Sequence, residues 1–166
     1  MEFLAIPSRS GRRALYWCPE AVFQALIGVE KVEQGWISSV VPFDTFSEAV
    51  IVHYKETIPL EVLIEIHLLT HSSTAQHSMR DKYRSAIYFF KEEEQKNIQS
   101  ILAHLTSVNK QNYITQILPF IAFRANKESL LNYYQKNKEG QFCQNYIHPK
   151  LALIRSKFGK QAKLYF

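Results

Sequence analysis

Two short runs, Ala49-Val50-Ile51-Val52-His53-Tyr54 and Ser85-Ala86-Ile87-Tyr88-Phe89-Phe90, constrain the fold of this chain more than any other feature. The first is β-branched and aromatic and reads as a strand; the second reads as a buried strand. Between and after them the apolar period changes from two to that of a helix. Pro59 opens a helix that puts Leu60, Leu63, Ile64, His67 and Leu68 on one face, and Glu92 to Thr106 is amphipathic with an acidic first turn. Upstream, Arg13 to Tyr16 reads as a short strand, and Pro19 lies in the first turn of a helix that runs to about Ile27 and is stopped by Gly28. Val29 to Val41 and Tyr113 to Leu118 read as extended, and two further helical stretches fall near Glu128 to Lys136 and Pro149 to Phe158. Strands interleaved with helices of this length predict an α+β fold, a two-layer sandwich with helices packed on one mixed sheet.

At 166 residues and 46% hydrophobic, the chain is long enough to close one core, so residues 1–166 are expected to form a single domain. No apolar run approaches the roughly 20 residues needed to cross a bilayer. The opening Met1 to Pro7 is too short for a signal-peptide core, and arginines rather than a cleavage site follow it, which makes a cytoplasmic protein the default. The net charge of +5 is scattered, and the densest basic stretch, Arg155 to Lys160 with Lys163 beyond it, reads as a solvated end; a nucleic-acid partner is not expected. Cys18 and Cys143 are too few for a disulfide framework. They read either as small core residues or as a redox pair. His67 and His71 have the i, i+4 spacing that can hold a metal, with His77 nearby, but no third ligand is set by spacing and no metal is assigned.

Four blocks carry more specific information. They are Ala14-Leu15-Tyr16-Trp17-Cys18-Pro19-Glu20, Ser47-Glu48-Ala49-Val50, Lys82-Tyr83-Arg84-Ser85-Ala86-Ile87-Tyr88 followed by Glu94-Gln95, and Lys136-Asn137 leading to Gly140-Gln141-Phe142-Cys143. In this order, from about residue 12 to 155, they resemble the A-type peptide-methionine sulfoxide reductases. The resemblance implies that family's ferredoxin-like α+β core. It also implies its reaction, reduction of methionine sulfoxide in proteins by thiol chemistry, with no bound cofactor and with thioredoxin or another thiol as reductant.

In that family a cysteine at a helix N-terminus is held as thiolate and attacks the sulfoxide sulfur, a glutamic acid protonates the departing oxygen, and aromatic rings hold the substrate methyl group. A distal cysteine then closes a disulfide with the nucleophile. Carried over position by position, Glu48 matches the acid, Tyr16 and Trp17 the aromatic pair, Tyr83 one substrate tyrosine, and Cys143 lies about where a resolving cysteine stands. Trp36, after Gly35, replaces a second tyrosine. The nucleophile's position holds Leu15, after Arg13 and Ala14 in place of glycines, and the loop that normally precedes the acid is shortened. Leucine cannot ionise or attack sulfur, so turnover is expected to be weak or absent unless Cys18 serves instead. The alternative is a non-catalytic relative whose aromatic pocket binds a methionine-like side chain or a protein partner.

Overall fold

The computed structural model describes residues 2–7, 17–71, 73–74 and 83–166. The strand expected at Arg13 to Tyr16 lies outside these residues. Six strands are described: β1 (Glu2–Pro7), β2 (Val29–Ser38), β3 (Ser47–Tyr54), β4 (Ala86–Phe89), β5 (Gln116–Pro119) and β6 (Ala122–Ala125). The α-helices are α1 (Trp17–Gln24), α2 (Leu60–Thr70), α3 (Glu92–Asn109), α4 (Tyr133–Lys136) and α5 (His148–Lys157), and a π-helical turn, Cys143–Ile147, leads into α5. The strands form one sheet in the order β5-β4-β1-β3-β2-β6. Every pairing is antiparallel except β4 with β5, so the sheet is mixed. Its inner four strands and the helices between them follow the β-α-β-β-α-β plan of the expected ferredoxin-like core.

The two layers follow from strand alternation. Val32, Val50, Val52, Ile87 and Phe89 line one sheet face, where they meet Val22, Phe23 and Leu26 of α1, Leu63 and Ile64 of α2, Ile98 of α3 and Ile154 of α5. The opposite face gathers Ile37, Ala49, Ile51, Ala86 and Tyr88, flanked by the partly buried Phe43, Phe90, Phe120 and Phe123. No described helix is long and apolar enough to cross a membrane.

Three local departures from the sequence reading have physical causes. The first six-residue strand, β1, was not expected at Glu2–Pro7; it pairs with β3 along its whole length and is bounded on its other edge by β4, so its conformation is set by its neighbours. The stretch Glu128 to Lys136 is not one helix: Asn132 takes a left-handed φ of 55° between a short 3-10 turn at Glu128–Leu130 and α4. Its backbone N–H donates to both carboxylate oxygens of Glu20 at 3.0 Å, and that long-range anchor competes with helix propagation. The short β6, also unforeseen, pairs with β2 from Gly35↔Ala125 to Ser38↔Ala122.

Gly35 is required by that pairing, because a Cβ there would stand 2.2 Å from the carbonyl oxygen of Arg124. Gly35→Ala is expected to push β6 off β2 and lower the unfolding free energy by about 2 kcal/mol, read as a lower urea midpoint. An unchanged midpoint would mean that β6 is not held as closely as the geometry requires.

Candidate active site

Glu48 is the second residue of β3 and is 1% exposed. It stands directly opposite Trp36 of β2 in the antiparallel register. Val50 and Val52 share its strand face and pack under the helices, so Glu48 and Trp36 face the helical layer. Trp36 is half-buried, which leaves that end of the face near the surface.

Tyr83, 5% exposed, comes to the same place through its neighbour. The Arg84 backbone N–H donates to Ser47 Oγ at 2.8 Å, tying the entry to β4 to the residue before Glu48. The Arg84 side chain, almost wholly buried, donates to the Tyr88 hydroxyl at 3.0 Å, to the Thr45 carbonyl at 3.2 Å and to Thr45 Oγ1 at 3.0 Å. Its guanidinium also lies 5.4 Å from the Phe43 ring centre. Arg84 thereby fastens the loop before β3, and so the approach to Glu48. By sequence alone Arg84 belongs to the third block and carries no assigned role. The signal was present, since an arginine leading into a buried strand must find several acceptors.

Cys18 and Cys143 form a second grouping. Helix α1 has two buried faces: Val22, Phe23 and Leu26 turn to the sheet, whereas Cys18, Ala21 and Ala25, at i, i+3 and i+7, pack with Tyr134, Cys143, Ile147 and Leu151. Both cysteines are thiols and both are 0% exposed. Burial pushes the Cys143 thiol up, and a charge on Cys18 pushes it the same way. Burial lowers Lys150 on α5, with Cys18 acting in opposition. The structure thus brings Trp36, Glu48 and Tyr83 to one end of β2 and β3, and sets Cys18 with Cys143 on the other buried face of α1. Trp17 is the first residue of α1, while Leu15 and Tyr16 lie outside the described residues.

His67 and His71 stack with ring centroids 4.9 Å apart and 20° between their planes. His67 is 2% exposed and its Nε2 has no hydrogen-bond partner among the described residues. Burial, reinforced by the positive charge of Lys150, holds its pKa down at about 3. This is a neutral core ring; His77 lies outside the described residues. Two cavities elsewhere, of about 430 and 420 Å³, are lined around Glu20, Asn132 and Phe166 and around His71, Ser73 and Tyr113 respectively, without Glu48, Trp36 or Tyr83.

The ferredoxin-like sheet, with the buried Glu48 carboxyl opposite Trp36 on the face that α1 covers, defines an α+β protein with an acidic and an aromatic side chain grouped at one end of its sheet. Residues 14–162 match the family model for peptide methionine sulfoxide reductase, and the chain belongs to that family. It is 31% identical over 160 residues to the peptide methionine sulfoxide reductase MsrA of Psychrobacter sp. (strain PRwf-1), covering 86% of this chain and 91% of that one. It is 28% identical over 158 residues to the MsrA of Acinetobacter baumannii (strain AYE), covering 86% and 91%. Among solved structures, Mxr1 from Saccharomyces cerevisiae in complex with Trx2 has the same fold with a TM-score of 0.59 at 17% identity, over 78% of this chain and 82% of that one.

Proposed function

We propose that this protein recognises methionine sulfoxide side chains in peptides or proteins through Glu48, Trp36, Tyr83 and the Tyr16-Trp17 pair, and that its reductive turnover is impaired because Leu15 occupies the nucleophile's position. The observation that carries this reading is the pairing of Glu48, 1% exposed, with Trp36 on the face that meets α1. A carboxyl withdrawn from water makes stronger hydrogen bonds than one in solvent. Beside an aromatic surface it suits a ligand with an apolar methyl and a strongly accepting oxygen, which is what a sulfoxide side chain presents. The position of Cys18 favours lapsed chemistry over a relocated nucleophile. Its side chain packs towards Cys143 and away from the sheet face that carries Glu48, and reaction geometry tolerates errors of only about 1 Å. Should turnover persist through a thiol on this chain, thioredoxin or a small dithiol is the matching reductant; the complex of Mxr1 with Trx2 is the comparison that supports it.

Binding tests this reading without requiring catalysis. A short peptide containing methionine-(S)-sulfoxide, titrated calorimetrically, is expected to bind the protein more tightly than its unoxidised counterpart. Trp36→Ala is expected to weaken that binding by about 1–3 kcal/mol, roughly 10- to 100-fold. Equal affinity for both peptides, or no binding at all, would remove the pocket assignment.

A further inference from the structure

The positive charge of this chain is concentrated in one stretch. Residues 133–166 hold seven lysines and arginines against a single acid, Glu139, a net charge of +6, while the whole chain carries +5. The fold gathers part of this charge around a pair of rings. Phe166 stacks on Tyr134 with centroids 5.5 Å apart and 13° between the planes. The Lys138 ammonium lies 5.5 Å from the centre of the Tyr134 ring, and the Lys163 ammonium 5.9 Å from that of Phe166. Arg155 and Lys163 line one cavity of about 270 Å³ together with Gly159, Ala162 and Leu164. Lys163 is steadied by donating to the Gln24 carbonyl at 2.6 Å. Among the described residues, none of Lys138, Arg155 and Lys163 forms an ion pair with a carboxylate.

Beside these cations stand Leu164 and Tyr165, 87% and 92% exposed, the most exposed large apolar side chains among the described residues. Both flanks of the pair are fixed. Before it, Ala162 bridges to Leu26 and the Lys163 backbone N–H donates to the Ala25 carbonyl at 2.8 Å. After it, Phe166 is packed on Tyr134. Leu164 and Tyr165 are thus held out into solvent between two anchors.

We propose that this cationic ring pair, with Leu164 and Tyr165, is a docking surface for an anionic lipid bilayer, which it binds at the interface without crossing. Charge complementarity supplies the attraction, about fivefold in partition for each lysine or arginine brought to the surface. The exposed pair selects a bilayer over the other common polyanion, nucleic acid. An aliphatic side chain gains by leaving water for acyl chains, and a tyrosine suits the headgroup boundary, with its ring in the apolar layer and its hydroxyl in the wet one. A phosphodiester backbone offers Leu164 no apolar slot. Base stacking needs open ring faces, and Tyr134 and Phe166 cover one another. A few cations or two apolar side chains alone give weak, reversible attachment, and it is their combination that holds a protein to a membrane surface.

This surface does not depend on methionine sulfoxide recognition, and its test uses neither sulfoxide nor turnover. The full chain is sedimented with vesicles of phosphatidylcholine and phosphatidylglycerol in equal parts, and with vesicles of phosphatidylcholine alone. The expected result is cosedimentation with the anionic vesicles only, lost near 1 M salt, where the screening length is about 3 Å. Replacing all three cations, Lys138→Gln, Arg155→Gln and Lys163→Gln, is expected to weaken the partition by roughly 100-fold. Leu164→Ser with Tyr165→Ser is expected to weaken it by about tenfold. Both of these side chains are exposed, so the double variant should melt with the parent, and it carries the test should the triple variant unfold. Equal binding to neutral vesicles, no cosedimentation with either kind, or full binding by the double variant would overturn the proposal. So would a single-stranded oligonucleotide that strips the protein from anionic vesicles at matched phosphate, since nucleic acid would then be the occupant.

Discussion

Leu15→Cys is expected to raise reduction of a methionine-(S)-sulfoxide peptide, with dithiothreitol as reductant, by on the order of 10³-fold or more over the unaltered protein. The size of the effect follows from the chemistry. Covalent attack on the sulfoxide sulfur requires a group that can ionise, and an aliphatic side chain contributes nothing to that step. In the sequence, position 15 is two residues before the start of α1 at Trp17, and in the family that this chain belongs to the cysteine at this position is held as thiolate by a helix N-terminus. Two companions make the result specific. In the Leu15→Cys background, Glu48→Gln is expected to lower the rate by about 10²- to 10⁴-fold, the ordinary worth of a positioned acid, whereas Cys18→Ser is expected to leave single-turnover reduction unchanged. Product formation is followed by chromatography of the reduced peptide. Strong activity in the unaltered protein that disappears in Cys18→Ser would overturn the reading, since it would put the reacting sulfur on the far face of α1.

The second large effect is on stability in acid. His67 has a folded pKa of about 3, set first by burial and then by the charge of Lys150, against about 6.5 when exposed in the unfolded chain. The folded state therefore binds fewer protons at this site between those values, and unfolding is favoured as pH falls. Its contribution is fully present above pH 6.5 and falls by about 1.4 kcal/mol per pH unit below it, a total loss on the order of 4–5 kcal/mol by pH 3. Carboxylates also titrate in the lower part of this window, so the comparison is with His67→Phe, which can keep a ring against His71. Between pH 6.5 and 5, urea unfolding of the parent should lose stability with the steeper slope. Parallel curves for the two proteins would mean that His67 takes a proton in the folded state.

Much of the fold was legible because local period and composition speak directly about local structure. The β-branched run at Ala49 to Tyr54 is β3, the acidic start at Glu92 opens α3, and Gly28 follows α1 with a φ of +93°, in space already filled by Thr57 and Ile58. The four blocks that carry the family resemblance were equally readable, and with them Glu48, Trp36 and Tyr83 as site candidates. What local signals could not show were contacts between distant segments. β1 becomes a strand within the sheet because the edges of β3 and β4 receive it. The helix expected through Asn132 breaks because Glu20, far away in sequence, captures its N–H. Arg84 earns its place only through Ser47, Thr45 and Tyr88.

The division at the candidate site is the same. From the amino-acid sequence alone come the family, the α+β class and the leucine at position 15, because each depends on residue type and order along the chain. Only the tertiary structure decides that Cys18 faces Cys143 while Glu48 faces the helices beside Trp36. A side chain's direction depends on which face of its element the rest of the molecule covers, and α1 is covered on two.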